Sequence, residues 1–263
     1  MDQFRNWGVT VKLLLTVSLI LLTQSCGKGL QDPAKIVREL SGLIASGAEL
    51  KLDAKDIVGA CPGSLNWPDT SGNGNDGTLV CTGGGSIAAS PARVNFDGST
   101  THVTTTIDGN SADMPSATWI VWVRPTSANF AHILSIDDNA GAWNRALTID
   151  NATTNVYGAF NRLNSNNWEA TSASLNTWTF LVVEFTAGNI VIQKNGTRFS
   201  FGSAPGYNNT SLDFTIGSSA DRTNDFLNGD IGWVAIYPRI LTATEIKQTC
   251  LALVDRFSGA SGN

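Results

Sequence analysis

The sequence predicts an all-β fold, a dozen short strands closed into a sandwich or a barrel. Three observations carry this. Short stretches of period-two alternation recur along most of the chain, each bounded by Gly, Asn, Asp or Ser. Glycine is abundant, at 26 residues, and helix-forming stretches are confined to the two ends. The pair Asn195-Gly196 stands between two alternating stretches. A type I′ hairpin turn needs positive φ at both central residues, which Asn-Gly tolerates. The 263 residues are 42% hydrophobic and 15% charged, with a net charge of -5. That apolar content can build a core and argues against disorder. A charge-poor acidic chain has no Lys/Arg surplus to neutralise phosphates, so nucleic acid is not an expected partner.

The first segment, 1–25, reads as an export signal. Arg5 and Lys12 precede the apolar run 13–22, which is too short to span a bilayer as a helix but suits a signal-peptide core. The run ends Leu22-Thr23-Gln24-Ser25-Cys26-Gly27, which resembles the lipobox of bacterial lipoproteins. The resemblance implies a lipid on Cys26, which becomes the mature N-terminus, and contact with the membrane through that anchor only. Gly27 after the Cys implies the outer membrane of the cell envelope or the cell surface. Residues 26–47 then form a spacer, partly helical. Asp32 can cap it, Pro33 suits its first turn, and Ile36, Val37, Leu40, Leu43 and Ile44 form its stripe.

From residue 48 the period changes to two, with Leu50 and Leu52 alternating against Lys51 and Asp53. Further strands are expected over 77–81, 93–96, 102–107, 117–124, 131–136, 145–149, 155–161, 177–185, 190–194, 197–201, 212–216 and 230–237. Two are apolar on both faces, Trp119-Ile120-Val121-Trp122-Val123 and Phe180-Leu181-Val182-Val183. Both should be central, with an outer loop covering the far side. Thr242-Ala243-Thr244-Glu245 is a capping-box pattern that opens a closing helix with the stripe Ile246, Cys250, Leu253, Phe257. Residues 259–263 are a tail.

Export makes disulfides possible. Cys61 and Cys81 flank a Gly/Asn-rich turn almost symmetrically, which favours a Cys61–Cys81 bond across two hairpin arms. Cys61–Cys250 is the rival pairing. The helical stripe otherwise suits Cys250 as a buried, unpaired thiol.

Several blocks resemble the laminin-G-like jelly rolls of bacteria and phages, of the concanavalin A-like lectin/glucanase superfamily. They are Leu50-Lys51-Leu52-Asp53-Ala54, then Trp67-Pro68-Asp69-Thr70-Ser71-Gly72-Asn73-Gly74-Asn75-Asp76-Gly77, Asn95-Phe96-Asp97-Gly98, 118–125, 178–185, and the run Ile236 to Ile246. They follow the family's order over 48–258. The resemblance implies a jelly-roll sandwich of two antiparallel sheets with a short C-terminal helix. Gly232 and Trp233 depart from the family, which usually carries acidic residues there.

Catalysis is not expected. Glycoside hydrolysis needs two carboxylates across one cleft. None of Glu39, Glu49, Glu169, Glu184 and Glu245 has such a neighbour in sequence. Glu184 is expected to face solvent or cap a local hydrogen bond, and His102 and His132 to be structural. One structural calcium is plausible at Asp69, Asn73, Asn75 and Asp76, with Asp97 nearby, because Ca²⁺ takes six to eight oxygens. Glycan binding has the better physical case. Sugars need aromatic faces for their C–H surfaces and amides or carboxylates for their hydroxyls. Polar loops offer both at Trp143, Asn144 and Arg145, at Trp168, at Tyr207 and Asn208, and at Asp221 and Arg222. The expected function is noncatalytic adhesion to a glycan or a cell-surface protein. A structural envelope lipoprotein making protein contacts comes second, and a glycan-active hydrolase third.

Overall fold

The computed structural model describes residues 45–109, 114–137, 144–150, 155–160, 169–186, 189–202 and 213–258. Sixteen strands come in chain order. The first eight are β1 (Leu50–Asp53), β2 (Gly63–Trp67), β3 (Gly77–Cys81), β4 (Ser86–Ala89), β5 (Ala92–Asp97), β6 (His102–Asp108), β7 (Ala117–Pro125) and β8 (Ala131–Ser135). The rest are β9 (Ala146–Asp150), β10 (Val156–Phe160), β11 (Glu169–Ser172), β12 (Thr179–Thr186), β13 (Asn189–Lys194), β14 (Thr197–Gly202), β15 (Asp213–Ile216) and β16 (Asn228–Tyr237). One helix, α1 (Ala243–Ser258), closes the described chain. Among the described residues the strands make two antiparallel sheets. One runs β14-β13-β12-β7-β16-β5-β4 with β1 also on β16, and the other runs β11-β10-β9-β8-β15-β6-β3-β2. The architecture is the expected jelly-roll sandwich.

Strand alternation divides the apolar residues between two layers. On β7, Trp119, Val121 and Val123 point into the core between the sheets, while Ile120 and Trp122 point outward. On β12, Leu181, Val183 and Phe185 go inward, and Phe180 and Val182 outward. Both strands are central, as their two apolar faces require. Their cover is α1 rather than a loop. Ile246, Cys250, Leu253, Val254 and Phe257 lie on the outward residues, and Phe257 stacks on Trp122 at 4.9 Å. Gly232 answers to this contact, since a Cβ there would overlap the Phe257 ring. Trp233 is buried in the same layer. The two departures from the family pattern therefore seat the helix.

The capping box forms as expected. Thr242 Oγ1 accepts from the Glu245 N–H at 3.2 Å, and Glu245 Oε2 accepts from the Thr242 N–H at 2.8 Å. Arg256 fastens the far end, donating to Asp53 at 2.8 Å and to the Ala92 carbonyl at 2.9 Å. Cys61 and Cys81 are disulfide-bonded, joining the start of β2 to the end of β3. Cys250 is buried but not an unpaired thiol; it too is disulfide-bonded. Glu184 does not face solvent. It is buried on the outer face of β12, where Gln193 donates to it at 2.7 Å and Arg198 at 3.1 and 2.8 Å.

Candidate functional site

Three loops meet at one end of the sandwich: 98–101 after β5, 126–130 after β7, and 217–227 before β16. The last begins on Gly217, whose φ of 80° and close approach to the Phe96 ring leave no room for a Cβ. The Gly217 N–H donates to the Ile133 carbonyl, and its carbonyl accepts from the Leu227 N–H at 2.9 Å, so the loop closes on itself. Gly98 donates to the Leu227 carbonyl and Thr126 to the Asn228 carbonyl, each at 2.9 Å. These bonds lock the three loops together. Between them lies a cleft of about 200 Å³, lined by Gly98, Ser127, Asn129, Phe130, Asp225, Phe226 and Asn228.

Asp225 is held unusually. Its φ is 52°, sparsely populated for a residue with a side chain, and its carbonyl accepts from the His132 N–H at 2.9 Å. Strain of this kind collects at functional sites. Its carboxylate Oδ2 stands 3.9 Å from His132 Nε2, beyond hydrogen-bond reach. His132 is fully buried, packed edge-on against Phe130 and Phe160, with Nδ1 2.9 Å from Ser135 Oγ. Burial lowers its pKa to about 4, against the opposing charge of Asp221, so the imidazole is neutral at pH 7. Phe226 packs beside His102, ring centroids 6.2 Å apart. His102 Nδ1 donates to the Thr100 carbonyl at 2.8 Å. Both histidines of the chain thus back this loop. Ser135 and His132 are in contact and Asp225 stands beyond hydrogen-bond reach of the same ring, and no hydrolytic triad results. Ser135 is fully buried and its Oγ accepts from the Asp137 N–H at 2.8 Å.

Of the residues expected to bind a ligand, Trp143, Trp168, Tyr207 and Asn208 lie outside the described residues, as does Cys26. Asn144 and Arg145 do not stand in a loop facing solvent; they are 3% and 1% exposed. The Arg145 guanidinium donates to the Met114 carbonyl at 2.6 Å and to the Pro115 carbonyl at 3.3 Å, and lies over the Phe185 ring. It is spent on structure. Asp221 and Arg222 belong to the loop bordering the cleft without lining it. Asp221 accepts from Ser219 Oγ at 2.5 Å and from Thr223 Oγ1 at 2.7 Å, while Arg222 reaches Asp213 at 3.9 Å.

The residues expected at a calcium divide into two places, and each set is engaged by its own loop. Asp69 accepts from the N–H groups of Lys51, Ser71 and Asn75, and Asp76 from Asn66 and the Asp69 N–H. Asn73 and Asn75 donate to the Glu49 carbonyl. Together they fasten this loop to β1. Asp97 shares none of these bonds; it accepts from the N–H groups of Gly84, Ser99, Thr100 and Thr101. Burial raises its pKa, but the hydrogen bonds from Thr100, Thr101 and Ser99 outweigh this and hold it far below the ordinary carboxylate range. Among the described residues no cluster of three or more His, Cys, Asp or Glu could hold a metal.

The cleft residues Asn129, Phe130, Asp225, Phe226 and Asn228 are not among the residues expected from sequence, because Trp and Tyr in Asn-rich loops are the stronger sequence signal for a sugar site. The same pattern with Phe as the aromatic occurs at Ser127-Ala128-Asn129-Phe130 and at Asn224-Asp225-Phe226.

Comparison with known proteins bears on this fold. The curated proteins give no match. Among solved structures the chain is similar to domain 4 of AbnA, an extracellular arabinanase from Geobacillus stearothermophilus solved with arabinotriose. The TM-score is 0.56 at 16% identity, over 79% of this chain and 98% of that one. It is similar to the binding domain of botulinum neurotoxin DC solved with SialylT, with a TM-score of 0.54 at 18% identity, over 76% of this chain. It is also similar to a Trypanosoma rangeli sialidase, with a TM-score of 0.57 at 13% identity, over 83% of this chain. The chain spans 50% of that neurotoxin chain and 38% of the sialidase. At these identities the likeness is one of fold. A laminin-G-type family model, described as concanavalin A-like lectin/glucanases superfamily, matches residues 97–247, more than half of the sequence. The chain belongs to the concanavalin A-like lectin/glucanases superfamily.

Proposed function

We propose that this chain is a noncatalytic recognition protein that binds a glycan through the loop cleft, exported and held at the cell envelope by a lipid on Cys26. One observation supports this above the others. A single cleft gathers two phenyl rings, two amides, a hydroxyl and a strained carboxylate on loops that are bonded to one another. Rings suit the C–H faces of a sugar, and the amides and carboxylate suit its hydroxyls. The fold is shared with a domain solved holding arabinotriose. Among the described lining residues Asp225 is the lone carboxylate, where hydrolysis would need two.

A protein partner is the second reading. Val58, at 87% exposure, heads an apolar loop beside the Cys61–Cys81 bond, and a botulinum binding domain of this fold was solved with synaptotagmin II.

A glycan array probed with the full chain, with and without calcium, tests the first reading. Binding is expected in both conditions, since the loop expected at calcium is shaped by its own hydrogen bonds. Phe226→Ala should weaken it about tenfold, as loss of one aromatic anchor does. An array that stays blank refutes the glycan reading.

A further inference from the structure

We infer that residues 33–44, which lie outside the described residues, dock as an amphipathic helix on the outer face of α1, so that the folded domain begins at residue 33 rather than at 48. The surface they cover is centred on Leu251 and Asp255.

The stripe Ile246, Cys250, Leu253 and Phe257 of α1 belongs to the apolar layer on the sheet. At about 100° per residue, Leu251 stands about 130° round the helix from that stripe, and Asp255 about 170°, directly away from the sheet. Both should meet water on a helix that is covered from one side. Leu251 is instead 1% exposed, and Asp255 Oδ2 is buried without a hydrogen-bond partner. Burial pushes the Asp255 carboxyl up and the Lys247 ammonium down. From Glu245 to Phe257 every residue is buried or half-buried.

The sheet does not supply this cover, because it lies beneath the stripe. The described segment before β1 does not supply it either. Ala45 donates to Thr249 Oγ1 at 3.3 Å, and Thr249 and Leu251 point about 160° apart around the helix.

The occupant follows from where the chain leads. It reaches α1 at Ala45, and the residues just before carry Ile36, Val37, Leu40, Leu43 and Ile44 at helical spacing. Such a stripe is stable as a helix only against an apolar partner. As a helix, 33–44 is about 18 Å long, and the 16 residues of α1 span about 24 Å, so the two fit side by side. The docking does not depend on the lipid proposed at Cys26. With that lipid in place, it shortens the leash to residues 26–32, which reach about 25 Å at full extension.

The test uses the full chain, with hydrogen exchange across α1 and thermal unfolding as readouts. Leu40→Asp puts a charge in the middle of the stripe. It should raise exchange over 247–255 about tenfold and lower the unfolding midpoint by about 5 °C. Leu40→Ala should move both readouts the same way by less. Arg38→Asp, on the opposite face of the expected helix, should leave both unchanged. Asp255→Leu removes a covered carboxyl and should raise the midpoint by about 3 °C, a gain that disappears when Leu40→Asp is also present. Exchange and midpoint that ignore Leu40→Asp overturn the inference. A gain from Asp255→Leu that survives Leu40→Asp also overturns it. Exchange over 247–255 in the wild type that rises on dilution would make a second copy the cover, and overturns it too.

Discussion

His132 shows how one residue can be structural and still shape a binding surface. Its ring carries none of the cleft surface, yet it supports Asp225 through the backbone and Phe130 through an edge contact. It is also an acid-sensitive point. Burial lowers its pKa to about 4 from an ordinary 6.5. Below pH 6.5 the unfolded chain takes up a proton that the folded chain refuses until about pH 4. Stability therefore falls as pH drops through that window, by up to about 3 kcal/mol in all. Asp225 and Asp221 are the carboxylates facing the ring, and both favour the protonated form. Urea unfolding of wild type and His132→Gln at pH 7 and pH 4 checks this. The variant should lose less stability between the two pH values, and equal losses would show that another group is responsible. From sequence alone His132 is expected to be structural. Its place behind a cleft is not legible there, because Asp225 lies 93 positions away and only the meeting of three loops brings them together.

At the level of elements, local rules were legible and long-range docking was not. Period-two alternation located β1, continuous apolar runs located β7 and β12, and the Asn-Gly pair located the hairpin of β13 and β14, whose Asn195 and Gly196 both have positive φ. It passed over β2, β4 and β11, which are short and flank larger sheet partners. The two-faced strands were recognised, but their cover was expected to be a loop. The stripe on α1 was also recognised, yet nothing local says that a helix more than 60 residues later lies over Phe180 and Val182. Its capping box was fully legible, because that motif is local. Glu245 is the key to it. The guanidinium of Arg239 and the Thr242 N–H hold its carboxyl at about 2, below the ordinary 4.5. Its contribution is thus complete above about pH 4.5 and lost as pH falls toward 2. Glu245→Ala should cost about 1 kcal/mol at pH 7, mostly from the cap, since the exposed pair with Arg239 is screened. Melting curves should show the gap to wild type closing by pH 2. A gap that persists there would place the stabilisation in packing rather than charge.

Across the whole molecule, β16 runs between two ends of the sandwich. Its first residue, Asn228, lines the cleft, and its last, Tyr237, donates to the Ala45 carbonyl at 3.0 Å. Ten residues of strand put about 30 Å between them. The described chain therefore begins at the end opposite the cleft, where Ala45 also donates to Thr249 of α1. A tether preceding residue 45 would leave the cleft pointing away from the surface that holds it, which agrees with the recognition role proposed above. The lipid proposed on Cys26 is such a tether, and fractionation of cells expressing variants tests it. With a lipid anchor, Cys26→Ser moves the protein out of the membrane fraction, while Cys61→Ser, which breaks the bond to Cys81 in the folded domain, leaves it there. A Cys26→Ser variant that stays in the membrane fraction at full amount would show that the protein is held there by something other than a lipid at that residue.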